Sequence, residues 1–255
     1  MTTQIQVWRL FADNIPQPNA TLILDGDEHH FLRNVLRLKC GEHLEITNGK
    51  GCTAVAELTS CEKQKSHCLI KSKSEQPKPT HCVSLYIGTP KPAALEEAVT
   101  LATELGASQI HFFRAQKTQN KQPTRPDRLH KIMRESMRIS RNPWDTQIFD
   151  HATLEDAVSV LPDNCLRILC DESPLYENTS SYIQNHLVKV LEEKKNFSHM
   201  ALFIGPESSF TDAEREFLRT QILAIPVTLG SQILRVPTAA AAATALCLGF
   251  LTTRE

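Results

Sequence analysis

The residues best placed for chemistry fall in two loops and one basic stretch. Residues 201–214, Ala-Leu-Phe-Ile-Gly-Pro-Glu-Ser-Ser-Phe-Thr-Asp-Ala-Glu, read as a strand, a tight Gly205-Pro206 turn and a helix. Thr211 and Glu214 have the spacing of a capping box, in which hydroxyl and carboxylate each take a backbone N–H at a helix start. That leaves Gly205 to Phe210 as an exposed loop at the carboxyl end of a strand, the edge at which open α/β sheets bind ligands. The same loop also fits a plain, well-capped connection. The second loop follows the next strand, Val227-Thr-Leu-Gly-Ser-Gln-Ile-Leu-Arg-Val-Pro-Thr238, and runs into five alanines. Gly230 ends the strand, Arg235 stands two residues before Pro237, and the alanines open a helix that another element can approach closely.

The basic stretch runs from Arg114 to Arg141, with nine Lys/Arg against Asp127 and Glu135, whereas residues 142–255 carry eight basic and fifteen acidic residues. A formal net charge of −1 therefore hides a strong asymmetry. Pro126 and Asp127 mark a helix start. At 100° per residue Leu129, Ile132, Met133, Ser136 and Met137 gather on one side and Arg128, Lys131, Arg134, Arg138 and Arg141 on the other. A solvated helix face accounts for such a pattern, and so does phosphate contact; the excess positive charge favours a polyanion.

Several chemistries are excluded or disfavoured. No G-x-G-x-x-G or G-x-x-x-x-G-K-[ST] follows a strand pattern. Eight cysteines at irregular spacing, without C-x-x-C, argue against a zinc ribbon, a redox motif or a disulfide scaffold and point to a reducing cytoplasm. His29 and His30 point in different directions on a helix, so no metal site is expected from them. Cys165 and Cys170 lack a ligand pair, and Trp144, after a proline, reads as packing in preference to base stacking. The amino-terminal residues show no signal or transit pattern, and Val236 to Leu251 is shorter than the ~20 apolar residues that span a bilayer. No membrane association is expected.

The elements that must position these loops divide in two. Residues 1–75 look β-rich, with strands at Gln6–Phe11, Thr21–Leu24, Leu44–Asn48, Cys52–Leu58 and His67–Ser72 and a turn at Asn48-Gly-Lys-Gly51. One helix interrupts them, capped by Asp27, with Phe31, Leu32, Val35 and Leu36 at helical spacing and Arg33 and Arg37 opposite. Ser74-Glu-Gln-Pro-Lys-Pro-Thr80 reads as a linker because its prolines oppose helix and central strand. From 76 to 255 strands alternate with helices: Cys82–Ile87, a helix Ala93–Leu105 stopped by Gly106, then Gln109–Phe113, Leu166–Cys170, Ala201–Ile204 and Ile225–Leu229. Such alternation implies an α/β layer structure around a largely parallel sheet.

The pair Ile204-Gly-Pro-Glu-(Ser-Ser)-Phe-Thr-x-x-Glu214 and Leu229-Gly-(Ser-Gln)-Ile-Leu-Arg-(Val-Pro)-Thr-Ala239 resembles the two signature loops of the 16S ribosomal RNA (uracil-N3)-methyltransferase family of the SPOUT superfamily. Arg9-Leu-Phe11, His30 to Leu38 and Gly49-Lys-Gly51 look like that family's PUA-like RNA-binding domain, and Ala102–Gly106 and Glu135–Pro143 match further landmarks. The resemblance implies a trefoil-knotted α/β domain (76–255) after a PUA-like barrel (1–75), a cytoplasmic homodimer, and S-adenosyl-L-methionine as cofactor. It further implies methyl transfer to N3 of a uridine in 16S rRNA or the small ribosomal subunit. By position, Ile204, Gly205, Pro206, Glu207, Leu229, Gly230, Ile233 and Leu234 would line the cofactor pocket. Arg141 and Arg235 would stand near RNA or the developing uridine anion, with Glu207 the nearest carboxylate as candidate base. Arg9, Arg33, Arg37, Arg128, Lys131, Arg134 and Arg138 would contact RNA. No metal is implied.

The chain departs from the family pattern at Ser208 and Ser209, where glycines are usual, and at Ser136, Ile139, Ser231, Gln232, Val236 and Pro237. A positive φ at either of the two loop serines costs about 1 kcal/mol or more. Three rival readings stand beside the methyltransferase: a non-catalytic RNA-binding or ribosome-assembly factor, a methyltransferase with another RNA target, and an unrelated α/β metabolic enzyme.

Overall fold

The computed structural model describes residues 8–118, 125–171, 185–194 and 197–252. Gln6 and Val7 of the expected first strand and Lys121 of the basic stretch lie outside the described residues. Two compact units form: residues 1–78 with 137–145, and residues 79–136 with 146–255.

The first unit contains β1 (Trp8–Phe11), β2 (Thr21–Leu24), α1 (Gly26–His30), β3 (His43–Thr47), β4 (Cys52–Cys61) and β5 (Ser66–Glu75). They make one sheet of order β1-β3-β4-β5-β2, antiparallel except for the parallel β1–β3 pair. Alternate residues point inward, so that Leu10, Leu44, Ile46, Leu58 and Ile70 are fully buried with Leu32 from the helical segment. That segment is α-helical only through His30 and continues as a π-helical turn, Phe31–Leu36, closed by Arg37 in the left-handed conformation with its N–H on the Leu32 carbonyl. The wider turn carries Val35 off the buried side and leaves it 58% exposed, contrary to the helical spacing. In the β3–β4 turn Asn48 Oδ1 accepts the N–H groups of Lys50 and Cys52. Gly51, at φ +88°, lies so close against the Trp144 ring that a Cβ there would collide with it. Trp144 is thus a packing residue, as its position after Pro143 suggests.

Residues 137–145, distant in sequence, belong to this first unit because polar groups hold them there. Arg9 is 5% exposed and gives Nε and Nη2 to the Glu45 carboxylate and Nη1 to the carbonyls of Met137 and Asn142. Arg138 donates to Arg9 O at 2.7 Å and to Glu28 at 2.5 Å and lies over the rings of Phe31 and Phe11.

The second unit holds β6 (Cys82–Gly88), α2 (Pro92–Leu105), β7 (Gln109–Phe113), α3 (Pro126–Ser140, its last four residues in the first unit), β8 (Gln147–His151), α4 (Leu154–Val158) and β9 (Cys165–Cys170). It continues through β10 (Asn185–His186), α5 (Leu187–Glu193), β11 (His199–Ile204), α6 (Asp212–Thr220), β12 (Ile225–Thr228) and α7 (Val236–Thr252). All seven strands are parallel, in the order β10-β12-β9-β11-β6-β7-β8. The expected α/β layers are present: α4 and α6 pack with Tyr86, Leu169 and Phe203 on one face, and α7 packs against α2, β6 and β11. Its Ala239, Ala240 and Ala243 are buried, which their small size permits.

One row of register partners crosses four neighbouring strands: Phe203, Tyr86, His111 and Phe149. The Tyr86 and His111 rings stack at 4.4 Å and the His111 and Phe149 rings at 4.7 Å. His111 Nδ1 lies 2.9 Å from His151 Nε2. Burial, and then His151, push the His111 imidazole down to about 4 from the usual 6.5.

Candidate functional site

Parallel register puts the carboxyl ends of β6, β9, β11 and β12 on one edge, and the chain reverses its direction of travel along the sheet between β6 and β11. Ligands of open α/β sheets bind at such a reversal. Two cavities open there. The larger, ≈ 770 Å³, is lined by residues 204–209 and 233–237 together with Lys91, Glu97 and Arg215. The smaller, ≈ 40 Å³, is lined by Thr228, Leu229, Gly230 and Gln232 and shares Cys170, Leu234 and Ala239 with the larger. The two loops singled out in the sequence therefore converge, and all eight residues placed at the cofactor pocket line one cavity or the other.

The first loop is shaped by close approaches. Pro206 rests on Gly88 at the end of β6, where a Cβ would stand 2.6 Å from Pro206 Cδ and 2.9 Å from its nitrogen. Ser209 N–H donates to the Pro206 carbonyl at 2.8 Å and closes the turn. Ser209 has φ +61°, so the strain expected of a serine in the left-handed region is present there, about 1–2 kcal/mol for an L-residue. The capping box is complete: Thr211 Oγ1 accepts the Glu214 N–H and Glu214 accepts that of Thr211. Glu214 also accepts the Gln116 N–H at 2.8 Å, which ties α6 to the segment after β7.

The charged groups of the cleft are not equivalent. Glu207 Oε1 accepts the N–H of Lys91 at 2.8 Å, so this carboxylate serves the start of α2. Arg235 is 73% exposed and pairs loosely with Glu97, at 3.3 and 3.4 Å. Arg215 pairs with Asp171, whose side chain is 2% exposed. In the second loop Gly230 adopts φ +150° and its N–H donates to Thr228 Oγ1. The Ala239 N–H on the Arg235 carbonyl starts α7.

Gly88, Lys91, Glu97, Asp171 and Arg215 were not legible as site residues. Their signals are a glycine at a strand end and an Asp212–Arg215 spacing of three, both common in any α/β chain.

The basic residues are dispersed. Arg9 and Arg138 are taken into the first unit as described, so neither presents its charge to a phosphate; sequence alone does not distinguish a buried, paired arginine from an exposed one. Arg114 pairs with Asp150 and Arg128 with Glu96, which lowers the effective excess charge. Arg33 is exposed and donates to the carbonyls of Glu62 and Lys63. Arg37 and Lys131 are exposed, and Arg134 is half-buried. Arg141, exposed at φ +57°, closes α3 with its N–H on the Met137 carbonyl and belongs to the first unit. The apolar side of α3 is as expected, with Leu129, Met133, Ser136 and Met137 buried. Among the described residues, no group of three His, Cys, Asp or Glu could hold a metal ion, and no helix is long and apolar enough to cross a membrane.

A parallel α/β sheet with a two-loop cleft at its reversal point, joined to a small β-rich unit, defines a ligand-binding α/β protein with an added domain. The particular family follows from comparison: residues 76–248 match the RNA methyltransferase domain and residues 24–71 the RNA methyltransferase PUA domain. The chain belongs to this RNA methyltransferase family. It is 26% identical over 238 residues to the Ribosomal RNA small subunit methyltransferase E of Rickettsia conorii, covering 93% of each chain. It is 26% identical to the protein of the same name from Bacillus subtilis, covering 86% of each. Its fold is that of a Ribosomal RNA small subunit methyltransferase E from Neisseria gonorrhoeae solved with S-adenosyl methionine, with a TM-score of 0.82, 20% identity, and coverage of 96% of this chain and 98% of that one.

Proposed function

We propose that this protein uses S-adenosyl-L-methionine to methylate N3 of a uridine in 16S rRNA of the small ribosomal subunit. The observation that carries this reading is the ≈ 770 Å³ cleft built by the two loops at the carboxyl edge of the parallel sheet. Its size lies within the range of small-molecule sites. Its walls suit the cofactor: Ile204, Pro206, Ile233, Leu234 and Val236 offer apolar surface, and loop backbone offers polar groups to an adenine without needing particular side chains. When bound, the cofactor supplies a methyl group already activated by its sulfonium, so the protein's task is placement.

Uracil N3 must be unpaired to be reached, and it must give up its proton. Arg235, whose pairing with Glu97 is long and solvent-exposed, is free to leave it and stabilise the uridine anion. Glu207 is held by the Lys91 N–H, and Glu97 is the other carboxylate lining the cleft. Arg33, Arg37, Lys131 and Arg141, all exposed, are the cations through which RNA would be held. The reading also includes a trefoil-knotted passage of the chain through the cleft loops, a barrel closure of the first unit, domain limits at 1–75 and 76–255, and a cytoplasmic location where ribosomes assemble. It includes a homodimer, for which the outer side of α7, exposing Thr238, Ala245, Leu246 and Gly249, is the supporting surface.

Calorimetric titration with S-adenosylmethionine, followed by assay on 16S rRNA and on small subunits, tests the reading. Saturable one-per-chain binding and a new reverse-transcription stop at one uridine are expected, because an N3 methyl blocks base pairing. Absence of binding up to millimolar ligand would favour the non-catalytic RNA-binding factor, and a stop in another RNA would favour a different target.

A further inference from the structure

Ser209 is held from both ends. Its N–H is committed to Pro206 and its Oγ accepts from Arg215 Nη2 at 2.7 Å, while its φ of +61° is one that a serine does not adopt for its own sake. The hydroxyl supplies what a glycine at that position would lack, a bond to a charged donor. The donor is itself fixed. Arg215 Nε is 3.2 Å from Asp171 Oδ1 and Nη1 is 3.1 Å from Asp212 Oδ1, so each nitrogen of the guanidinium is engaged. Asp171 follows directly after β9 and lines the small cavity, whereas Arg215 and Ser209 line the large one. The ion pair therefore joins a residue that lines the small cavity to one that lines the large cavity, and it anchors the β11–α6 loop to the end of β9. On the other side of the same loop Ser208 Oγ donates to the Lys117 carbonyl at 2.6 Å.

We propose that Arg215, aimed by the buried Asp171, is a positioning residue that holds the 205–210 loop in its ligand-ready shape through Ser209 Oγ. This rests on the cofactor reading of the cleft given above. Arg215 is not a catalytic residue, since its nitrogens are already committed to protein oxygens. Its effect is exerted before the cofactor arrives: a loop ordered in the free protein loses less freedom on binding.

The test uses Ser209→Ala, which removes one oxygen and keeps the backbone strain, and Arg215→Lys, which keeps a cation for Asp171 but not the fork that reaches Ser209. Hydrogen exchange of the amides of 205–210 is measured in the free proteins, with calorimetric titration of S-adenosylmethionine and steady-state methylation alongside. Expected are faster loop exchange in both variants and cofactor Kd and KM raised about tenfold, the scale of one lost bond to a charged group, with kcat within about twofold. The double variant should be no weaker than either single one. Unchanged exchange and Kd in Ser209→Ala, or additive losses in the double variant, overturn the proposal while leaving the cofactor reading intact. If the wild type binds no S-adenosylmethionine, the cofactor reading fails and the ligand-ready role fails with it.

Discussion

Arg9 in β1 donates from Nη1 to the carbonyl of Asn142 across 2.8 Å, joining positions 133 residues apart in sequence. The same guanidinium meets both oxygens of Glu45, with the Arg9 side chain only 3% exposed. An arginine in this position holds the returning segment 137–145 to the first unit. Replacing it strands a carboxylate and two carbonyls in a poorly solvated place. We expect Arg9→Met to lower the unfolding free energy by about 3–5 kcal/mol, the cost of removing one partner of a buried pair. Urea unfolding monitored by tryptophan fluorescence checks this, since Trp8 and Trp144 both lie in the first unit. A loss under about 1 kcal/mol, the value of an exposed pair, would show that this one is dispensable.

The exposed cations should behave in the opposite way. Charge reversal at Arg37 and Lys131 disturbs nothing buried, so stability should stay within about 0.5 kcal/mol. RNA affinity should fall, and the slope of log affinity against log salt should flatten by about one for each phosphate no longer neutralised. Fluorescence titration of a 16S rRNA fragment at several salt concentrations measures both. An unchanged slope would place the RNA elsewhere on the surface.

The legible and illegible parts of the molecule divide on physical lines. Strands buried on both sides, such as β6, β9 and β11, announce themselves as apolar runs, and the capping box at Thr211 and Glu214 is written in two residues. The edge strand β8 escapes because Gln147, Phe149 and Asp150 are exposed and its sequence has no apolar run. The π-helical turn at Phe31–Leu36 looks like ordinary helix in a periodicity plot, since its apolar residues keep α-helical spacing although the wider turn leaves Val35 exposed. The two cleft loops were visible as short motifs. What braces them was not: Gly88, Asp171 and Arg215 matter through their approach to residues far away in the chain, which spacing does not encode.

Arg235 and Glu97 form an exposed pair at 3.3–3.4 Å, worth little to stability. Glu97→Gln should leave the unfolding midpoint nearly unchanged. Arg235→Met should lower kcat for methylation by about 100-fold, the usual effect of deleting a group that stabilises developing charge. Cofactor Kd should stay within about twofold. A fall in cofactor binding with unchanged kcat would instead make Arg235 a pocket wall.

Gly88 offers a steric test of the cleft. A methyl group there has Pro206 Cδ at 2.6 Å and the Pro206 backbone nitrogen at 2.9 Å, and Ala115 Cβ at 3.3 Å on another side. Backbone must shift, because none of these is the end of a flexible chain. Gly88→Ala should cost about 1–3 kcal/mol, as overpacking does. It should also weaken S-adenosylmethionine binding by displacing the Gly205–Pro206 turn. Calorimetry on the folded variant separates the two effects; full affinity would mean that the turn does not touch the ligand.

His111 contributes a defined acid sensitivity to the second unit. It is 3% exposed, stacked between Tyr86 and Phe149, and faces His151 Nε2, so its folded form resists protonation down to about 4. In the unfolded chain it takes up a proton near 6.5. Between these values the unfolded state binds more protons, so stability rises with pH across the window and is lost as pH falls from 6.5 towards 4. The loss reaches on the order of 3 kcal/mol at the lower end and then levels off for this group. His111→Phe keeps the stack and removes the titration. Unfolding free energies from about pH 7.5 to about pH 4.5 should therefore fall less steeply in the variant than in the wild type, even if the variant is less stable throughout. Parallel curves would show that His111 is already protonated, or relieved by a shift of β8, in the folded protein.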